Sequence, residues 1–182
     1  MTRFNLQSFS NPEYKPGPLP KRLIWLFISM AFFETGFPWP SSLKRFLLNV
    51  FGAVIGQGVV IKPHVRIKYP WFLKVGDFSW IGEEVWIDNL GLVTIGADSI
   101  LSQGVYICTG NHNYKKETFD LMVGPVSVGH STWIGAKTVI APGVTIGDEI
   151  VVSLGSVVKS SLTIPGIYSG NPAIQKGNSA TA

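Results

Sequence analysis

Residues 126–158 read VSVGHSTWIGAKTVIAPGVTIGDEIVVSLGSVV, and an aliphatic side chain returns every six residues along them: Val128, Ile134, Ile140, Ile146, Val152 and Val158. No helix period produces a step of six, and a single strand alternates every two. The same step runs upstream through Ile55, Ile61, Ile67, then Val75, Ile81, Ile87, then Ile95, Leu101, Ile107, so that fifteen aliphatics fall in five groups of three. Two residues before each stands a small or β-branched residue, Leu73 apart. A glycine follows the first aliphatic of every group: Gly56, Gly76, Gly96, Gly129 and Gly147.

Eighteen residues per group predict a three-sided coil in which each hexapeptide is one short strand and one corner, with the aliphatic pointing inward. Glycine is expected where the chain turns and a side chain is least welcome. The expected architecture is an all-β solenoid, a parallel β-helix of about five three-sided coils over residues 53–164. A lead-in and helical segment at 1–52 precede it, and a tail at 165–182 follows. Pro12, Pro16, Pro18 and Pro20 mark the irregular lead-in. Helices are expected at 21–35 and 42–51, the second with Ser41 as N-cap and Gly52 as C-cap. The small and polar tail is expected to fray.

The breaks in the repeat are informative. The step is eight residues from Ile67 to Val75 and from Ile87 to Ile95, and 21 from Ile107 to Val128. All three insertions follow the third face, so they leave the prism at one edge, which in repeat proteins commonly carries the binding site.

The chain of 182 residues is 46% apolar and 14% charged, against roughly a quarter charged in ordinary soluble domains. Much of its surface is therefore expected to be covered, and flat prism faces point to a homotrimer with active sites between subunits. A single cysteine, Cys108, excludes an internal disulfide and fits the reducing cytoplasm. The net charge of +4 is mild and scattered, which suits an anionic small ligand and excludes a nucleic-acid footprint. Residues 23–33, LIWLFISMAFF, are too few to cross a bilayer, which needs about 20. Two readings stay open for them: a helix packed on the core or a neighbouring subunit, and an interfacial helix resting on the inner face of the membrane.

The longest insertion, an excursion at about 109–126, opens with TGNHNY and places His112 beside the rigid scaffold. Together with WIGAKTVIAPGVTIGD at 133–148 and GNPA at 170–173, it resembles the galactoside, maltose and nodulation-factor O-acetyltransferases of the hexapeptide-repeat family. The likeness is stronger to the acetyltransferases of colanic acid and other exopolysaccharide pathways, through YPW at 69–71 and WIDN at 86–89. The resemblance implies a left-handed β-helix and acetyl transfer from acetyl-CoA to a hydroxyl of a sugar or saccharide intermediate. It places the catalytic histidine at His112. A sugar hydroxyl attacks a thioester only when a base takes its proton, and imidazole suits that task at neutral pH.

By the same resemblance the N–H of Ala136 receives the oxyanion, the pantetheine arm lies near Trp133, Ala136 and Leu154, and the coenzyme phosphates lie near Lys159. KSSL at 159–162 departs from the Thr-Lys-Asp run that the family often carries there. For the acceptor, coil arithmetic stacks Tyr69, Asn89 and Thr109 along the insertion edge, which brings Tyr69, Trp71, Asp88 and Asn89 within one or two coils of His112. Aromatic faces and carboxylate or carboxamide groups bind sugar rings and hydroxyls.

Cys108 invites a second mechanism through an acyl-enzyme. Zinc chemistry is not expected, because His64 and His130 fall three coils apart, roughly 14 Å along the axis. The alternative to an enzyme is a non-catalytic β-helix acting as a scaffold or ligand sensor.

Overall fold

The computed structural model describes residues 4–177 and folds around one three-faced parallel β-solenoid. The first face stacks Val54–Ile55, Leu73–Val75, Val93–Ile95, Val126–Val128 and Thr145–Ile146. The second stacks Val60–Ile61, Trp80–Ile81, Ile100–Leu101, Trp133–Ile134, Ile150–Val152 and Gly166–Ser169. The third stacks Arg66–Ile67, Trp86–Asp88, Tyr106–Cys108, Val139–Ile140 and Val157–Val158. The registers join residues one coil apart, Ile67 with Ile87 and Ile87 with Ile107. All fifteen hexad aliphatics are buried.

The solenoid has about six turns rather than five. After Val158 the next inward residues are Leu162, bridged to Ile146 on the first face, and Tyr168, in the strand paired with Ile150–Val152. The step from Val158 to Leu162 is four, so the hexad loses phase and Ile164, where a sixth group would begin, is exposed. Of the tail expected to fray, Ile174–Gly177 instead turns back antiparallel on Gly166–Ser169 and closes that end, while residues 178–182 lie outside the described residues.

Four of the five repeated glycines, Gly147 apart, owe their place to close approach between coils. A Cβ on Gly76 would strike the backbone of Ala97, and one on Gly96 the backbone of Gly129. The left-handed backbone at the same corners comes two residues later, at Phe78 and Asp98.

The first coil would leave a strand edge open, and two helices cover it. α1 spans Leu19–Phe32 and α2 spans Ser41–Val50. Trp25 Nε1 donates to the Ile67 carbonyl at 2.8 Å, and Asn49 Oδ1 accepts from Ile55 N at 2.9 Å. Lys44, fully buried, donates to the Lys62 carbonyl at 2.9 Å, and burial pushes its ammonium below the ordinary lysine range. Ser41 is not the N-cap of α2; Pro40 holds that position. The Ser41 hydroxyl instead accepts from Ile61 N at 3.0 Å, because an open ladder amide competes for it. Gly52, with φ of 96°, follows the end of α2. α1 buries only Trp25 and Ser29 and turns Leu19, Leu23, Leu26, Phe27 and Met30 outward.

Candidate active site

The three insertions all emerge at the edge between the third and first faces, and buried polar side chains tie them to one another. Asn89 Oδ1 accepts from Tyr69 N at 3.0 Å, while its Nδ2 donates to the carbonyls of Tyr69 and Phe72 at 2.7 and 3.1 Å. One coil on, Thr109 Oγ1 donates to the Asp88 carbonyl and accepts from Gly91 N, both at 3.0 Å. Asn89 and Thr109 are fully buried. Asn89 is thus withdrawn as an acceptor ligand: its hydrogen-bonding groups build the corner. Trp71 is withdrawn as well. Its ring packs against Gly17 and Gly52, under the Lys21 ammonium 4.4 Å from the ring centroid.

From this edge the excursion leaves as an antiparallel hairpin, Gly110–His112 against Leu121–Val123. Its base rests on the neighbouring insertion, where a Cβ on Gly110 would strike Leu90 and one on Gly91 would strike Val123. The tip is tied by Asn113 N to the Asp120 carbonyl at 2.9 Å and by the Lys116–Asp120 ion pair at 2.8 Å. Lys116 holds the Asp120 carboxyl below its ordinary value.

His112 is half-buried on the first strand of this hairpin. Its Nδ1 lies 2.9 Å from the Phe119 carbonyl, which can only accept, so Nδ1 carries the proton. Nε2 is then the basic nitrogen. The imidazole stacks on the Phe119 ring at 4.4 Å and 6°, and Phe9 of the lead-in lies 5.7 Å from it. Cys108 does not meet His112: its thiol donates to the Gly110 carbonyl at 3.0 Å. His64 and His130 sit at corners, bonded to the Glu34 carbonyl and to Ala97 N.

Beside the edge, α1 and the third face flank an open cavity of about 400 Å³. Tyr69 and Asp88 line it, with Arg22, Lys68 and Trp86. Asp88 pairs with Lys68 at 2.9 Å and accepts from the Tyr106 hydroxyl at 3.3 Å. Arg22 Nε is buried with no partner among the described residues. Tyr14 of the lead-in crosses the same edge and donates to the Leu90 carbonyl at 3.0 Å. Burial, then the nearby Tyr69 and Asp88, push the Tyr14 phenol upward. Burial and a hydrogen bond to Cys108 do the same to Tyr106, so both phenols serve as donors and not as bases. Arg22 and Tyr14 carried no signal in the sequence, because residues ahead of the repeat share no period with it.

The residues expected to hold the coenzyme fall on two edges. Ala136 and Leu154 occupy corners between the second and third faces, beside Trp133 on the second face, whose Nε1 donates to Ser102 Oγ at 2.9 Å. The Ala136 N–H has no acceptor among the described residues. Lys159 follows Val157–Val158, so it lies on the His112 edge, two coils or about 10 Å further along. Within one chain, Ala136 and His112 stand on different edges, a whole face of roughly 15–20 Å apart for about six residues at 3.3 Å each.

Among the described residues no cluster of three His, Cys, Asp or Glu could hold a metal ion, and no helix is long and apolar enough to cross a membrane.

A family model described as the hexapeptide repeat of succinyl-transferase matches residues 125–160. WcaF of Escherichia coli (strain K12), by name a colanic acid biosynthesis acetyltransferase, is 41% identical over 175 residues, covering 93% of this chain and 94% of its own. The galactoside O-acetyltransferase of the same organism is 26% identical over 157 residues, covering 85% and 77%. Among solved structures, a hexapeptide-repeat acetyltransferase of Vibrio cholerae O1 biovar eltor, complexed with acetyl coenzyme A, superposes with a TM-score of 0.79. It is 20% identical and covers 94% of this chain and 96% of its own, a likeness of fold. The shared fold is the left-handed parallel β-helix.

Proposed function

This chain belongs to the hexapeptide-repeat acetyltransferases, and from that premise we propose that it moves acetyl from acetyl-CoA to a hydroxyl of a sugar or saccharide intermediate in exopolysaccharide or other cell-surface glycan synthesis. One observation carries the reading: His112 is held with Nδ1 protonated on the Phe119 carbonyl and Nε2 free to take a proton. In the transfer, the sugar oxygen attacks the thioester carbon as Nε2 removes the hydroxyl proton. The oxyanion accepts a hydrogen bond from the Ala136 N–H. When the C–S bond breaks, the proton on Nε2 passes to the departing thiolate. Incubating the protein with acetyl-CoA and a panel of saccharides, read by mass spectrometry, tests this. One acetyl gained by a saccharide supports it, and no gain across the panel counts against it.

Because His112 and Ala136 stand on different edges, the proposal needs a second subunit, and a cyclic homotrimer supplies three equal grooves. Each groove would place His112 and Lys159 of one subunit opposite Trp133, Ala136 and Leu154 of the next. The outward column Trp80, Ile100, Trp133 on the second face offers apolar area for such packing.

For the acceptor we retain Tyr69 and Asp88 and add Arg22, which share the cavity at the insertion edge. Asp88→Asn is expected to raise the acceptor KM about tenfold, roughly 1.4 kcal/mol, with the acetyl-CoA KM unchanged. Trp71→Ala is expected to lower the melting temperature and leave both KM values in place, since Trp71 packs beneath the lead-in. Steady-state kinetics and thermal melts on the two variants separate these roles.

The outward face of α1 favours peripheral contact with the cytoplasmic membrane surface. The segment 14–33 holds no acidic residue and, beside the cavity-lining Arg22, carries Lys15 and Lys21, and Phe27 is 69% exposed. That combination suits an interface rich in anionic lipid. The full chain is expected to sediment with anionic vesicles, and Phe27→Asp to release it; an equal pellet for both would remove the membrane from the account.

A further inference from the structure

Residues near the N-terminus reach the excursion from more than a hundred positions away. Asn5 N donates to the Glu117 carbonyl at 2.8 Å, and the Phe4 ring lies 4.8 Å from that of Phe119. Phe9 packs 5.7 Å from His112, directly after the short 3-10 turn Leu6–Ser8 that Asn5 Oδ1 caps by accepting from Gln7 N. The imidazole therefore has aromatic neighbours from two parts of the chain, Phe119 in the hairpin and Phe9 in the lead-in.

Phe119 itself needs support. Eight described non-glycine residues have left-handed backbone; seven sit at solenoid corners, locked between coils, and Phe119, with φ of 48°, is the eighth. A bulky residue there is strained and persists only where its surroundings hold it. Its carbonyl and its ring are the two groups that fix His112. The tip otherwise holds itself through bonds within residues 113–120, which are mostly exposed.

We infer that the lead-in Phe4–Phe9 is a positioning element of the catalytic centre: it braces the excursion tip through Glu117 and Phe119, and so fixes the orientation of His112. The inference rests on His112 being the general base. Phe4 presses on the ring of Phe119, the Asn5 amide anchors the tip backbone, and Phe9 packs beside the imidazole. A tip freed of these contacts turns the Phe119 carbonyl away from Nδ1, and Nε2 then meets the acceptor hydroxyl in fewer of its encounters.

The test uses the full chain with Phe4→Ala, Phe9→Ala and the pair together, beside Phe4→Leu and Phe9→Leu. The double alanine variant is expected to lose about tenfold in kcat while the acetyl-CoA KM and the melting temperature hold. Amide hydrogen exchange over residues 113–120 is expected to speed up, and the leucine variants to recover most of both losses. Wild-type exchange and wild-type kcat in the double alanine variant would overturn the inference, as would a kcat loss that follows a fall in melting temperature. If the unaltered protein transfers no acetyl at all, the general-base reading fails instead, and the exchange measurement still decides whether the lead-in braces the tip.

Discussion

His112→Ala is expected to lower kcat at least about a hundredfold, the low end of what general-base assistance supplies. The imidazole is the basic group at the insertion edge whose acceptor nitrogen is free. The phenols of Tyr14 and Tyr106 are pushed upward, Asp88 is engaged by Lys68, and the Cys108 thiol is turned to the Gly110 carbonyl. Affinity for acetyl-CoA should hardly move, because the histidine meets the acceptor proton and not the nucleotide. Steady-state kinetics with a calorimetric measurement of coenzyme binding separates the two quantities. Near-full turnover would remove His112 from the mechanism, and lost coenzyme binding would give it a different role. Cys108→Ala serves as the comparison and is expected to keep its turnover.

Ala136→Pro is expected to cost about a hundred- to a thousandfold in kcat, the range seen when one oxyanion donor is removed. The substitution is unusually clean at this position. Ala136 precedes Lys137, whose φ is 57°, at the first place of a solenoid corner. Pro63 and Pro142 stand at the same place in two other corners of this chain, before His64 and Gly143, both left-handed. Proline therefore fits the corner backbone and removes only the N–H, which has no acceptor among the described residues. The melting temperature should change little, and kinetics and melting together check the prediction. A variant that melts normally and turns over at the wild-type rate would move the oxyanion site elsewhere.

The reach of the sequence follows its periodicity. The hexad exposed the three faces, the fifteen inward aliphatics and the single edge from which the insertions leave, because each coil repeats one packing problem. It lost the sixth turn at Leu162, where one corner is two residues shorter. His112 was legible through its motif, yet the carbonyl and ring that hold it belong to Phe119, brought near by a hairpin register that no repeat announces. The residue types of Asn89 and Trp71 suit sugars, whereas hydrogen bonding commits Asn89 to the corner and packing commits Trp71 to the lead-in. Arg22, Tyr14 and Phe9 reach the site through contacts across the whole chain, and nothing local marks them.

Catalysis as proposed for this chain depends above all on the division of one active site between two subunits. Mixed trimers assembled from equal amounts of His112→Ala and Ala136→Pro chains, each inactive alone, decide it. A groove that takes its histidine from one chain and its amide from the next is intact in about a quarter of random pairings, so acetyl transfer should return to about a quarter of the wild-type rate. Mixtures that stay as inactive as their parents, after demonstrated subunit exchange, would contradict the shared site and with it the roles given to His112 and Ala136.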